Sequence, residues 1–310
     1  MIKFEYLSQG LNALARAHQV SPMAGHLGAS VIAGYFVGEQ RPDLNEKVYA
    51  GIEDDLEKVI RGGSVFGRGK SKDAELFTAF PKEKPNAGLV DGIAEALEQT
   101  LDKPRASGHN VIFAALAIRA LKEHPEFATP LVTDGIRKLI LRFKNIHAGW
   151  GFYAKGRKSG NEVKLKSDDN VPAYSGMEDM ATAVLDEIIR YDPKYRRQGY
   201  GGLVHICNHA AAITDLAQYG YPQLVPKAIK AHQRHLHLWL VLPNLIGELG
   251  PAIVSKHSTH EPEYWAGKIR YDSALLTHRV KTMFGFDELA GAVDDDSKVE
   301  NAYAKLRYFL

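Results

Sequence analysis

GHLGASVIAGYFVGEQRPDLNEKVYAGIEDDLEKVI, residues 25–60, is the stretch of sequence that decides the fold. It predicts an apolar helix, a turn at Arg41-Pro42-Asp43 and a second, amphipathic helix. The second helix repeats apolar residues every four positions, as a helix does when it buries one face; these are Val48, Ile52, Leu56 and Ile60. The first helix is apolar around most of its circumference, which is typical of an inner helix covered by its neighbours. The stretch therefore predicts a helical hairpin with an inner and an outer layer.

The same scheme recurs in residues 108–143 and 208–236, and a fourth, weaker match begins at His278. In each copy a histidine starts an Ala-rich apolar helix, and the leading histidines are His26, His109, His209 and, in the weaker fourth copy, His278. Their spacings of 83, 100 and 69 residues are too irregular for a standard solenoid motif. We therefore predict an all-α fold: a two-layer helical repeat, arranged as an α-α toroid or a solenoid-like assembly of helical hairpins.

Two segments interrupt this pattern. Residues 61–85 and 145–176 are rich in Gly, Lys and Ser, and both are too long for simple connections. We predict N-terminal helical repeats in 1–150, a loop or lid in 151–176 and C-terminal helical repeats in 177–310, with one continuous domain as the alternative. Whether the two segments are lids or plain surface loops stays open.

The composition excludes several classes of protein. Hydrophobic residues at 45% and charged residues at 25% exclude a wholly disordered chain. A net charge of +2 gives no field that favours nucleic acid. No apolar stretch is long enough to span a membrane, and the first residues lack the order of a signal peptide. With Cys207 as the single cysteine, these features favour a cytoplasmic protein.

A glycine-rich segment at Gly63–Ser71, GSVFGRGKS, invites comparison with a phosphate-binding P-loop. The P-loop pattern requires glycine where Ser64 stands, and no buried strand precedes the segment. A flexible basic loop is the better interpretation.

Seven of the thirteen histidines lie within 56 residues, from His205 to His260. His205 and His209 are spaced to share a helix face, and His232 and His235 could do the same. These four are an alternative set of metal ligands. Because no H-E-x-x-H motif is present, structural or surface histidines are the default and we expect no metal.

The four leading histidines are the predicted catalytic residues: His26, His109, His209 and His278. If the inner helices surround a cavity, these side chains could orient a carbonyl or a phenol, or transfer protons near neutral pH. The alternative is that each one only satisfies backbone groups of a neighbouring repeat. Four aromatic residues are predicted to bind a flat hydrophobic substrate, with helix packing as the alternative: Tyr191, Tyr195, Trp239 and Trp265.

Residues 185–220, LDEIIRYDPKYRRQGYGGLVHICNHAAAITDLAQYG, resemble the questin oxidase-like family. They carry a Y-D-P-x-Y stretch at Tyr191–Tyr195, followed by His209 in an apolar helix that ends near Gly220. The segment 21–38 is similar around His26, and the segment 272–286 is similar through His278 and Lys281. Together these pieces cover 69 of the 310 residues, about a fifth of the chain.

The resemblance implies an NADPH-linked, Baeyer-Villiger-type oxidation of an aromatic polyketide ketone. No flavin fingerprint is visible, because no G-x-G-x-x-G motif follows a predicted strand. Our hypothesis is therefore a questin oxidase-like oxidoreductase that acts on a hydrophobic aromatic or polyketide small molecule. Two alternatives stay open: a non-catalytic helical-repeat module that binds a peptide or protein, and a metal-dependent hydrolase that uses the histidine cluster.

Overall fold

The computed structural model describes residues 1–63, 73–166, 171–267 and 275–308. Within these ranges α-helices dominate, which confirms the predicted all-α class. The helices are α1 (Glu5–Arg16), α2 (Gly25–Gln40), α3 (Glu46–Ile60), α4 (Asp91–Glu98), α5 (His109–Glu123), α6 (Pro130–Leu141), α7 (Met177–Ile189), α8 (Gly202–Gln218), α9 (Val225–Leu240), α10 (Ile246–Leu249), α11 (Pro262–Ala266), α12 (Leu275–Ala290) and α13 (Asp296–Leu306). The repeat arrangement as a toroid or solenoid stays a prediction.

Short 3-10 turns occur between several helices. They span Ala17–Gln19, Pro22–Ala24, Ala74–Phe77, Ala87–Val90, Pro125–Phe127 and Pro222–Leu224. In three of them a proline occupies the first position, where its missing N–H is not needed. Most of the glycine-rich segment at Gly63–Ser71 lies outside the described residues.

A β-hairpin lies in the segment 145–176, where no sequence pattern predicts a strand. Strand β1 (Trp150–Tyr153) pairs antiparallel with β2 (Gly156–Ser159), with Trp150 opposite Ser159 and Tyr153 opposite Gly156. Gly156 has a φ of +132°, a backbone conformation that glycine adopts without steric penalty. The strands are four residues long, too short for a clear alternating pattern.

The chain forms two compact units. Unit 1 comprises 1–99, 113–143 and 257–284, and unit 2 comprises 100–112, 144–256 and 285–310. Each unit is therefore built from segments that are distant in the sequence. The predicted ranges 1–150, 151–176 and 177–310 stay a prediction.

In unit 1, α2 is the central helix and packs against α1 and α3. Every residue from Gly25 to Gly38 is buried, as predicted for an inner helix. Two glycines allow α1 to approach α2 closely: a Cβ on Gly28 would lie 2.4 Å from the backbone N of Leu14, and a Cβ on Gly10 would lie 2.7 Å from Cγ1 of Ile32. In contrast, α3 buries one face, which includes the predicted Val48, Ile52 and Leu56, whereas Ile60, the last residue of the helix, is only half-buried.

In unit 2, α7 packs against α8, α9 and α13, and α8 packs against α9. The core of this unit combines apolar residues of α7 and α8, such as Leu185 and Ile206, with several buried histidines. No helix in the described part of the chain is long and apolar enough to cross a membrane.

The third predicted repeat needs a correction. His26 is the second residue of α2, His109 is the first residue of α5 and His278 is the fourth residue of α12. His209, however, lies in the middle of α8, which begins at Gly202. The glycines at 201 and 202 have φ values of +73° and +68° and start the helix earlier than expected. The histidine in the first turn of α8 is therefore His205.

Candidate functional site

In unit 1, three buried side chains from α2 and α12 lie together: His26, His278 and Lys281. His278 and Lys281 are three residues apart and thus share one face of α12. Lys281 Nζ is hydrogen-bonded to Nδ1 of His26. The rings of His26 and His278 lie 4.7 Å apart, centroid to centroid, and Phe113 presents an edge contact to His26 at 5.5 Å. We call these three residues the lysine–histidine cluster.

Burial controls the charge of the lysine–histidine cluster. The Lys281 side chain is 3% exposed, and the loss of hydration lowers the pKa of its amine from 10.5 to about 7. Near neutral pH the amine therefore exists in both its charged and its neutral form. A group of this kind can donate or accept a proton without a large change in pH.

An ion pair next to the cluster anchors α12 in unit 1. Arg279 Nε lies 2.5 Å from Oδ2 of Asp55 on α3, and both side chains are almost completely buried. The guanidinium of Arg279 also stacks 4.5 Å from the ring centroid of Trp265. Trp265 donates its indole N–H to the carbonyl of Thr259 at 2.7 Å. These contacts hold α12, and with it Lys281, at a fixed position relative to α3.

In the described part of unit 1, three of the surface cavities are lined by residues outside the lysine–histidine cluster. The largest, about 960 Å³, is lined by residues of 84–95 and 130–137. A second, about 250 Å³, is lined by residues of 54–63. A third, about 310 Å³, is lined by Trp265 together with Gly51 and Glu263. Of the predicted site residues in unit 1, Trp265 thus lines a cavity, whereas His26 and His278 line none of the three.

In unit 2, two tight turns precede His109 and His205. Ala106, Ser107 and Gly108 have φ values of +45°, +62° and +84°. Residues 199–202 form a second run of positive φ, in which Tyr200 has a φ of +46°. Among the described residues, the non-glycine positions with positive φ all lie in these two turns. Backbone strain of this kind costs about 1–3 kcal/mol per residue and concentrates at functional sites.

The start of the β-hairpin connects the two turns. Ala106 N donates to the carbonyl of His147 at 2.8 Å, and Ser107 N donates to the carbonyl of Ala148 at 2.9 Å. Tyr200 N donates to the carbonyl of Trp150 at 2.7 Å. Because residues 147–150 bind both turns, the hairpin segment holds the starts of α5 and α8 in unit 2 together. This is the structural role that the segment 145–176 has in the described residues.

The side chains of His109 and His205 point their Nε2 atoms at each other at 3.1 Å. The Nδ1 of His205 contacts the carbonyl of Gly201 at 2.7 Å, and the Nδ1 of His109 contacts the carbonyl of Ala106. A carbonyl oxygen only accepts hydrogen bonds, so both Nδ1 atoms carry the proton. The turns with positive φ therefore fix the tautomer and the orientation of both rings.

His209, His232 and His235 form a second group of buried histidines in unit 2. Their hydrogen bonds determine which ring nitrogen carries the proton. Nε2 of His235 donates to the carbonyl of Tyr200 at 2.7 Å, so its Nδ1 accepts the hydrogen bond from Nδ1 of His209 at 3.2 Å. Nε2 of His232 donates to the carbonyl of Ile206 at 3.0 Å. This leaves two buried ring nitrogens, Nε2 of His209 and Nδ1 of His232, with no hydrogen-bond partner in the described structure.

Burial keeps this second group neutral. Desolvation lowers the pKa of His232 to about 3 and that of His235 to about 4. The pKa of His209 is also lowered, first by desolvation and then by the neighbouring histidines. These rings are therefore hydrogen-bonding groups at neutral pH, not cations.

The predicted aromatic residues of unit 2 are only partly close to one another. The guanidinium of Arg197 lies 4.4 Å from the ring centroid of Tyr195 and 5.6 Å from that of Trp239. Tyr195 is 44% exposed, whereas Trp239 is buried. Tyr191 is half-buried, and burial raises the pKa of its hydroxyl. Tyr195 and Trp239 thus flank one arginine, and their assignment to a substrate stays a prediction.

The predicted catalytic histidines fall into both units. The structure brings His26 and His278 together in unit 1, and it places His109 and His209 in unit 2, each beside another histidine. Sequence reasoning did not include His205 among the catalytic residues, although the Gly-Tyr-Gly-Gly run at 199–202 precedes it directly. Lys281 entered only through the family resemblance. No protein-family model, curated protein or solved structure matches the chain.

Proposed function

We propose that this chain is a questin oxidase-like oxidoreductase that acts on a hydrophobic aromatic or polyketide ketone. We assign proton transfer at the ketone to Lys281, supported by His26 and His278. One observation carries this proposal: a buried lysine with a pKa of about 7 is hydrogen-bonded to one histidine and lies one helical turn from another.

The chemistry of a ketone suits this cluster. When a nucleophile adds to the carbonyl carbon, negative charge develops on the carbonyl oxygen. A protonated Lys281 can donate a hydrogen bond to that oxygen, and Nδ1 of His26 can accept a proton from the amine. The desolvated surroundings strengthen both interactions relative to water. His278 adds a second imidazole next to that of His26.

The surroundings favour an apolar, aromatic ligand over a charged one. Phe113 contacts the ring of His26, and the residues of α2 on either side of His26, Gly25 and Leu27, are buried. An aromatic ketone would bury apolar area against such side chains and needs a polar contact only at its oxygen. The alternative, a module that binds a peptide or protein, gives no reason to bury a lysine and two histidines away from the surface.

NADPH is the reductant that the resemblance implies. The two described strands pair with each other as a hairpin, and neither leads through a glycine-rich turn into a helix. The described residues therefore do not fit a dinucleotide-binding turn of the Rossmann type. NADPH would supply the two electrons that reduce the second oxygen atom of O2 to water, and the roles assigned to Lys281, His26 and His278 do not depend on where it binds. We place the protein in the cytoplasm, which the single, unpaired Cys207 supports.

The test is turnover of aromatic polyketide ketones by the purified protein with NADPH in air. Mass spectrometry should detect products heavier by one oxygen atom. Lys281→Met should lower the rate by at least about 100-fold, the scale of general acid–base catalysis. Lys138→Met is the matched control, because Lys138 is an exposed lysine of unit 1 on α6, and this variant should retain the rate.

Two results would contradict the proposal. If the unaltered protein yields no oxygenated product and consumes no NADPH with any ketone of the panel, the oxidoreductase assignment is wrong. If Lys281→Met turns over as fast as Lys138→Met, the reaction does not use Lys281. Circular dichroism of both variants should match that of the unaltered protein, so that a folding defect is not mistaken for a loss of chemistry.

A further inference from the structure

When both rings are neutral, neither of the facing Nε2 atoms of His109 and His205 carries a proton. Both rings donate from Nδ1 to a backbone carbonyl, of Ala106 in one case and of Gly201 in the other. In a neutral imidazole the other nitrogen, Nε2, then carries a lone pair and no proton. Two lone pairs therefore face each other across 3.1 Å. Since neither atom can donate, this contact is repulsive between two neutral rings.

A proton or a metal ion between the two Nε2 atoms would remove the repulsion. A proton on one ring would convert the contact into a hydrogen bond, and a metal ion would accept both lone pairs. Burial disfavours an added proton, because it places an imidazolium where hydration is lost; the side chains of His109 and His205 are 5% and 8% exposed. A metal ion gains from the same geometry, since it binds only unprotonated nitrogens.

We propose that Nε2 of His109 and Nε2 of His205 bind a divalent transition-metal ion of the kind that prefers imidazole, such as Zn²⁺ or Fe²⁺. The observations behind this proposal are separate from those behind the function proposed above.

The distance between the two nitrogens fits adjacent positions around one ion. With metal–nitrogen bonds of about 2.05 Å, a separation of 3.1 Å gives an N–metal–N angle of about 98°. This angle lies between the octahedral and the tetrahedral value. It does not fit an ion that two imidazoles coordinate from opposite sides, which needs an angle of about 180°.

The surroundings of both rings are those that metal-binding histidines commonly have. A ligating histidine usually donates its second ring nitrogen to a carbonyl or carboxylate, which fixes its tautomer and orientation. Here both carbonyls belong to turns with positive φ, and the non-glycine residues Ala106, Ser107 and Tyr200 adopt that conformation. Strained turns of this kind are expected where they must hold two Nε2 atoms at a fixed distance from each other.

Binding of Zn²⁺ to the chelator-treated, full-length protein tests the proposal. Titration against a fluorescent chelator should reveal one tight equivalent. His109→Ala and His205→Ala should each raise the Kd by at least about 100-fold, because loss of a direct ligand exceeds the effect of losing its outer partner. His257→Ala is the control, since His257 lies in an exposed group with Glu261 and Glu263 that could also hold a cation.

Three results of the Zn²⁺ titration would overturn the proposal. Tight Zn²⁺ binding that survives in both His109→Ala and His205→Ala, or that disappears in His257→Ala, would overturn the proposal. So would the absence of any Zn²⁺ binding by the unaltered protein. If either variant fails to fold, NMR of the unaltered protein with ¹⁵N-labelled histidine decides. On addition of Zn²⁺ the Nε2 signals of both rings should shift while both Nδ1 atoms keep their protons. Unchanged Nε2 signals would contradict metal binding.

Discussion

Lys281 on α12 and His26 on α2 form a hydrogen bond between Nζ and Nδ1, although 255 residues separate them in the sequence. The contact depends on the position of α12 in unit 1. That position is fixed close by, where Arg279 forms a buried ion pair with Asp55 across 224 residues. Long-range polar contacts thus place the amine of Lys281 next to an imidazole in the buried interior of unit 1.

The ion pair gives the first prediction. Asp55→Ala should lower the free energy of unfolding of unit 1 by about 3–5 kcal/mol, because it leaves the Arg279 guanidinium buried without its carboxylate. Urea unfolding monitored by circular dichroism measures the loss. The control is Asp54→Ala, which removes a mostly exposed carboxylate from the same helix and should change stability by less than about 1 kcal/mol. Equal losses in the two variants would show that the buried pair does not stabilise the unit.

The turn before α8 gives the second prediction. Gly201 has a φ of +73°, and a Cβ there would lie 2.3 Å from Cγ of His205. Gly220 has a φ of +98°, and no atom lies within 4 Å of its Cβ position. Gly220→Ala should therefore lower the free energy of unfolding only by the backbone strain, about 1–2 kcal/mol. Gly201→Ala should lower the free energy of unfolding further. It should also weaken Zn²⁺ binding, since it displaces the imidazole of His205.

The same unfolding measurement compares these two glycine variants. If Gly201→Ala is as stable as Gly220→Ala and binds Zn²⁺ as tightly as the unaltered protein, the contact between the turn and His205 is not what holds the ring in place.

The buried histidines of unit 2 give a third prediction, on pH. The folded-state pKa values of His232 and His235, about 3 and about 4, lie below the ordinary value of 6.5. As the pH falls below about 6.5, the unfolded chain takes up these protons and the folded chain does not, so stability decreases until the folded pKa values are reached. Each such histidine contributes a slope of about 1.4 kcal/mol per pH unit in that interval.

Urea midpoints at pH 7, 6 and 5 measure this slope. His235→Gln should flatten it by about one proton, because it removes one buried imidazole. A stability that does not vary between pH 7 and 5, or a slope that is identical in His235→Gln and the unaltered protein, would contradict the assignment of these rings as neutral buried groups.

The sequence predicts the helices better than the site. The apolar circumference of residues 25–38 and the one-sided pattern at Val48, Ile52 and Leu56 reflect burial directly, and both predictions are confirmed. Helix starts are less visible. The start of α8 is set by consecutive positive φ values at 199–202, and composition alone does not tell whether a glycine run ends a helix or begins one.

Side-chain pairing in the candidate site could be predicted only in part. A recurring position in the sequence pattern predicts His26, His109, His209 and His278 as site residues, and the structure gives each one a histidine neighbour. Those neighbours depend on contacts between distant segments, such as His109 with His205, 96 residues apart. The burial that lowers the pKa of Lys281 depends likewise on packing, which no local pattern around residue 281 records.

The pKa of Lys281 tests the central claim most directly. With lysine labelled with ¹³C at Cε, the Lys281 signal can be identified by its absence in Lys281→Met and followed from pH 5 to pH 11. A buried amine beside His26 should titrate near pH 7. A midpoint near 10.5, the value of a solvated lysine, would contradict the lysine–histidine cluster as an acid–base site at neutral pH.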